Sequence, residues 1–116
     1  MYHKPVKTNY RYVALVERVV DGDTVDLLVD LGFYIHIRER FRLANIDAWE
    51  VRGEERVKGL KAKLFLLNEI EGRHITLISG KDKGKYGRWI ATIILEDGTN
   101  INTELVRLGH ATEEEY

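Results

Sequence analysis

Cysteine is absent from the 116 residues, and proline occurs once. The missing cysteines exclude disulfides, thiolate metal sites and cysteine nucleophiles together. The single proline, with 44% hydrophobic and 32% charged residues, excludes a collagen-like or disordered chain and fits one folded domain. No apolar run is long enough to cross a bilayer, so no membrane association is expected. Met1 to Tyr12 has no apolar signal core, so a cytoplasmic or virus-encoded intracellular protein is expected, with a trimmed domain of a secreted one as the alternative. A basic surplus is missing too. Lys and Arg number 18 against 19 Asp and Glu, a net charge of -1, which argues against a generic nucleic-acid binder. The charge is unevenly spread, however. Without Glu113, Glu114 and Glu115 the count becomes 18 against 16, and Arg73 to Arg88 holds five basic residues and one acid. A nearly neutral protein can thus carry a basic surface.

Strand signals dominate what is present. Tyr10–Val20, Thr24–Val29 and Phe33–Leu43 read as three strands, separated by the turns Asp21-Gly22-Asp23 and Asp30-Leu31-Gly32. In the third strand, alternation predicts a buried face of Phe33, Ile35, Ile37 and Phe41, with Arg42 on the opposite face. Glu54–Ile70 reads as a helix with Val57, Leu60, Leu64 and Leu67 on its apolar stripe and Phe65 beside them. Gly59 within that helix costs about 1 kcal/mol against alanine, which close packing on a neighbouring backbone would explain. His74–Ser79 and Trp89–Leu95 are the fourth and fifth strands, and Ile101–Leu108 is a short helix ended by Gly109. The expected fold is mainly β with helices (α+β): a five-stranded OB-fold barrel with an inserted helix and a short C-terminal helix. Residues 1–9 form a lead-in, 10–111 the domain and 112–116 an acidic tail expected to fray. A monomer is expected.

Three places concentrate chemistry-bearing residues. Asp21 and Asp23 flank a glycine at a strand-turn-strand junction and offer hard oxygens to Ca²⁺ or Mg²⁺, although Asp-Gly-Asp is also a common turn. Arg42 ends a strand, and Asp47 and Glu50 follow in a short loop, where ordinary surface charge is the plainer reading. The loop Asp82–Gly87 is basic and glycine-punctuated, with Arg88 starting the next strand; a solvated hairpin is its plainer reading. Strand ends of a barrel can bring all three to one place. Two arginines, a set of carboxylates and a hard cation are an inventory for phosphodiester hydrolysis. Arginine forks match phosphate oxygens, the cation neutralises charge, and Glu50 can accept a proton from water. The four histidines, His3, His36, His74 and His110, are too scattered to read as metal ligands.

The order of these pieces resembles the thermonuclease family, the staphylococcal nuclease-like domains. The pieces are Val19-Val20-Asp21-Gly22-Asp23-Thr24-Val25, Phe41-Arg42-Leu43 with Ile46-Asp47 and Glu50, Lys85-Tyr86-Gly87-Arg88, and Asn102 with Glu104–Gly109. The resemblance covers Tyr12 to Ala111. It implies Asp23 and Asp47 as calcium ligands, with the backbone carbonyl of Ala48 completing the set and Asp21 supporting it through water. It implies Arg42 and Arg88 as phosphate-binding arginines and Glu50 as the general base long proposed for the family. Lys85, Tyr86 and Trp49 are the implied substrate contacts. The implied activity is Ca²⁺-dependent endonuclease hydrolysis of DNA and/or RNA, with water attacking, the 5'-oxygen leaving and 3'-phosphate products. Ala48-Trp49 stands where family members carry Thr-Pro or Ala-Pro, so Trp49 is expected to pack as a clamp or to stack on a base. No counterpart of the family's third helix is expected, and three acids stand near the expected substrate path. Two alternatives accompany this reading: a non-catalytic nucleic-acid-binding or scaffold domain of the same fold, and an unrelated calcium-binding or protein-interaction role.

Overall fold

A computed structural model describes residues 10–80 and 87–114. Its first strand, β1 (Arg11–Asp21), is long and locally irregular. It pairs antiparallel with β2 (Thr24–Asp30) but skips Glu17 and Val20, so two residues on β1 oppose one on β2 at each point. Each extra residue shifts the alternation by one. The buried series on β1 therefore changes from Ala14 and Val16 to Val19, while Val25, Leu27 and Val29 alternate regularly on β2. The barrel continues through β3 (His36–Leu43), β5 (His74–Ser79) and β6 (Trp89–Ile94), in the closed order β1-β2-β3-β6-β5. Pairing of β1 with β5 closes it, and β3 with β6 is its parallel pair. Closure gives each barrel strand a neighbour on both sides, although β6 meets β3 only along Phe41–Leu43. The expected mainly β barrel with two helices is the observed architecture.

Two further strands were not expected. β4 (Ile46–Ala48) and β7 (Ala111–Glu113) form a separate two-stranded ladder, pairing Ile46 with Glu113, Asp47 with Thr112 and Ala48 with Ala111. Thr112 and Glu113, expected to fray, therefore belong to a strand; Glu115 and Tyr116 lie outside the described residues. Between β4 and β5 runs α1 (Arg56–Ile70), entered through a 3-10 turn at Gly53–Glu55. Between β6 and β7 lies α2 (Ile101–Arg107). Asn100 caps it, its side chain accepting from the Thr103 N–H at 3.2 Å. Among the described residues no helix is long and apolar enough to cross a membrane.

Two expected faces are corrected. On α1 the fully buried positions are Gly59, Ala62, Leu66 and Ile70, whereas Val57, Leu60 and Leu64 are exposed; Phe65 and Leu67 are partly buried against the core. The helix is apolar on more than one side, and its contact side is chosen by closeness of approach. Small residues permit the closest approach, and a hydrophobicity pattern underweights them. On β3 only Phe41 of the expected apolar set is buried. The strand begins at His36, because Phe33 and Tyr34 take left-handed backbone angles, φ 56° and 61°, in a turn closed by Leu31 N–H donating to the Ile35 carbonyl at 2.9 Å. Phe33 and Tyr34 are fully exposed there, 93% and 102%. The core fills the barrel with Val16, Leu27, Leu43, Leu77 and Ile93, and α1 covers one end through Leu66 and Ile70.

Candidate active site

The site forms where the β1–β2 turn, the end of β3 and the β4 segment meet. Asp23, in the turn itself, is 7% exposed, a level that charged residues reach only when paired. Its pairing is complete. One carboxylate oxygen, Oδ2, accepts from the Ala48 N–H at 2.9 Å and ion-pairs with Arg42 Nη1. The other, Oδ1, accepts from the Thr24 hydroxyl at 3.0 Å. The Asp23 carbonyl accepts from the Leu43 N–H at 2.8 Å, which ties the turn to β3.

Arg42 is as buried as Asp23. Its Nη2 donates to the Ile46 carbonyl at 3.2 Å and to Asp47 Oδ1 at 3.1 Å, and lies 3.6 Å from Glu114 Oε2. Three carboxylates thus surround one guanidinium. Asp47 keeps half of its side chain in solvent, 52%, so it can turn toward a ligand. Asp21 stands beside this group. Its Oδ1 is buried without a hydrogen-bond partner among the described residues. Burial pushes the Asp21 carboxyl above its ordinary value, the charges of Asp23 and Glu50 push it further, and Arg42 and Lys63 partly oppose them.

Two glycines let the pieces close. A Cβ on Gly22 would stand 2.8 Å from the Ala48 Cβ and 3.0 Å from the Ala62 Cβ. The Asp21–Asp23 turn, β4 and α1 therefore meet through three small residues. A Cβ on Gly59 would fall 1.9 Å from the Glu50 carbonyl oxygen and 2.6 Å from the Val51 nitrogen. The neighbouring backbone expected beside Gly59 is that of Glu50. The Glu50 N–H in turn donates to Glu55 Oε1 at 3.0 Å.

Trp49 is fastened on the other side. Its indole Nε1–H donates to the Gly109 carbonyl at 2.8 Å, and Lys58 Nζ sits 4.7 Å from the ring centroid. His110 stacks on Phe65 of α1 with ring centroids 4.8 Å apart, and burial lowers the His110 pKa below its ordinary value. Arg88 is half-buried at the entry to β6. Parallel pairing sets Trp89 beside Phe41 and Ile90 beside Arg42, so the topology brings Arg88 to the strand that carries Arg42. Lys85 and Tyr86 lie outside the described residues.

Two contributors were visible in the sequence, Asn102 as part of a motif and Glu114 as one of three clustered acids, but without the roles they take here. Asn102 is buried on α2; its Nδ2 donates to the Ala44 and Ala91 carbonyls at 3.1 and 3.0 Å, and its Oδ1 accepts from the Ile93 N–H at 3.1 Å. It welds α2, β6 and the β3–β4 turn that carries Arg42 to Asp47. A polar residue between the buried Ile101 and Leu105 was the available signal. Glu114 reached Arg42 only through β7, for which no local pattern exists.

As a cation site the donor set is consistent: only carboxylate and carbonyl oxygens, which suit a hard ion. The unpartnered Asp21 oxygen, with like charges beside it, is the arrangement a cation relieves. Among the described residues, however, no preformed group of three or more His, Asp or Glu is poised around an ion. Arg42 supplies the positive charge between Asp23 and Asp47 instead.

Residues 40–116 match the family described as staphylococcal nuclease homologue. Endonuclease YhcR of Bacillus subtilis (strain 168) is 35% identical over 118 residues, covering 92% of this chain and 9% of that protein. Protein ParB of Escherichia coli is 34% identical over 83% of this chain and 54% of its own length. An uncharacterized endonuclease of Escherichia coli O157:H7 is 30% identical over 83% of this chain and 57% of its length. The chain thus spans less than two thirds of each of these relatives. With the barrel, the order of its motifs and a match over most of its length, the chain belongs to the staphylococcal nuclease homologue family.

Proposed function

We propose that the protein is a Ca²⁺-dependent endonuclease that hydrolyses phosphodiester bonds of DNA and/or RNA and leaves 3'-phosphate ends. The observation that carries the reading is the buried Arg42 guanidinium, set among Asp23, Asp47 and Glu114 with Asp21 alongside. A binding module has no use for so many carboxylates around a phosphate-binding arginine.

Arg42 and Arg88 would bind the non-bridging phosphate oxygens and oppose the charge that builds on them in the transition state. Glu50 would take a proton from water as its oxygen attacks phosphorus in line. The bond to the 5'-oxygen breaks, that oxygen takes up a proton from solvent water and leaves as a hydroxyl, and the phosphate stays on the 3'-oxygen. Asp23, Asp47 and the Ala48 carbonyl would hold the cation, with Asp21 supporting it through water. When bound, Ca²⁺ neutralises phosphate charge. Lys85, Tyr86 and Trp49 are proposed substrate contacts; Trp49 would serve while its indole N–H stays on Gly109.

The test is cleavage of short labelled single-stranded DNA and RNA with Ca²⁺ or EGTA, alongside Glu50→Ala. Calcium-dependent 3'-phosphate products, lost in the variant, are expected. Salt-dependent binding with no product at any calcium concentration would instead identify a non-catalytic nucleic-acid-binding domain.

A further inference from the structure

We infer that Gly59 is a positioning residue for Glu50: it lets α1 approach so closely that the helix backbone becomes the stop against which the Glu50 main chain is set. The inference rests on the reading of Glu50 as the general base.

The carbonyl of Glu50 occupies the space where any other residue at position 59 would place its Cβ, 1.9 Å from the oxygen and 2.2 Å from its carbon. Both obstructing atoms are main-chain atoms, which cannot swing aside as a side-chain tip can. Ordinary contact begins near 3.4 Å, so an alanine would have to push the helix and the Glu50 main chain apart by about 1.5 Å.

The helix is poorly placed to yield. Ala62, one turn on, touches the Gly22 turn; Leu66 and Ile70 are fully buried; and Phe65 stacks on His110. The Glu50 segment is less constrained. Glu50 is exposed and is held by its N–H on Glu55 and by the neighbouring Trp49 indole on Gly109. The displacement therefore falls on Glu50. Asp23 and Arg42 lie across β4 with their own ties to Ala48, Leu43 and Ile46, so the phosphate-binding side keeps its place. This also accounts for a glycine within the helix, where it costs about 1 kcal/mol against alanine.

The experiment is a cycle of Gly59→Ala, Glu50→Gln and the double variant, measured for kcat and KM on a labelled oligonucleotide with saturating Ca²⁺. Folding is checked by circular dichroism and thermal unfolding. For folded Gly59→Ala, kcat is expected to fall about 100-fold, as a misplacement of about an ångström at the reacting atoms does. KM should stay within about threefold, and the double variant should match Glu50→Gln alone. Such non-additivity separates positioning of Glu50 from a general loss of structure. If Gly59→Ala fails to fold, Glu55→Ala replaces it, since it removes the acceptor of the Glu50 N–H from the half-buried end of the 3-10 turn that leads into α1. Its kcat should drop severalfold, and not at all once Glu50 is Gln. Wild-type kcat in the folded variant, or a loss that adds fully to that of Glu50→Gln, overturns the inference. If Glu50→Gln itself retains full kcat, the general-base reading falls and takes this inference with it. That outcome is distinct from an active-site Glu50 with an indifferent Gly59.

Discussion

Replacing Arg42 with alanine would be the first experiment on the proposed chemistry, and the structure predicts that it will mislead. Arg42 neutralises Asp23 inside the protein, where both side chains are nine-tenths buried. Without the guanidinium, Asp23 keeps the Ala48 N–H and the Thr24 hydroxyl but no positive charge. An orphaned buried charge costs about 3–5 kcal/mol. A domain of this size has about 5–15 kcal/mol in total, so Arg42→Ala should lower Tm by on the order of 15–30 °C. Lost activity in that variant would report unfolding as well as lost phosphate binding. Urea unfolding in EDTA isolates the effect, because a divalent cation at Asp23 would replace the missing charge. The decisive comparison adds Asp23→Asn. In the wild-type background that change breaks the pair and destabilises. In the Arg42→Ala background it removes the stranded charge and should restore at least about 1.5 kcal/mol. If Arg42→Ala costs less than about 1 kcal/mol, or Asp23→Asn destabilises both backgrounds equally, the pair is not the electrostatic centre of the site.

Three other expectations are simpler to check. Leu66→Ala should cost about 2–5 kcal/mol in urea unfolding, since Leu66 is fully buried, while Leu64→Ala, at a position 57% exposed, should cost less than about 0.5 kcal/mol; equal losses would refute the assigned face of α1. Glu114→Gln should lower KM for an oligonucleotide two- to fivefold, because a partly exposed acid 3.6 Å from Arg42 competes for it with about 0.5–1 kcal/mol; an unchanged or higher KM would show that Glu114 does not compete. His110 has a folded pKa below its ordinary 6.5, so the folded state binds fewer protons than the unfolded chain near and below that pH. Stability should rise with pH through this window and level off above it, and His110→Phe should remove that slope in urea titrations at pH 5 to 8.

Much of the barrel could be read from local pattern. His74–Ser79 is a strand with the expected bounds, and the Asp21–Asp23 turn joins two strands as expected, because alternation and turn chemistry act within a few residues. The acidic and basic residues drawn together from three sequence regions do include one buried group around Arg42. What could not be read depends on distant partners. The buried face of α1 is decided by Gly22 and the Glu50 carbonyl, far from any helical periodicity. Phe33, Tyr34 and Ile35 carry strand-like apolarity, yet a left-handed pair turns them into a loop tip. β4 and β7 are each three residues long and exist only through one another. Asn102 owes its place to three main-chain groups on two other segments.

The closure of the barrel also sets a timetable for synthesis. Arg11 pairs with Ile78, and Leu15 with His74, so one flank of β1 waits for β5 to leave the ribosome. A β1–β2 hairpin formed in that interval would carry an open edge, the state most prone to pairing with another chain. The arginines on β1, Arg11 and Arg18, are charges that discourage such pairing. The ladder joining Asp47 to Thr112 comes later still. The acidic pocket around Arg42 is therefore completed only when nearly the whole domain is available, and a nascent chain carries its strands well before it carries the full set of groups proposed for catalysis.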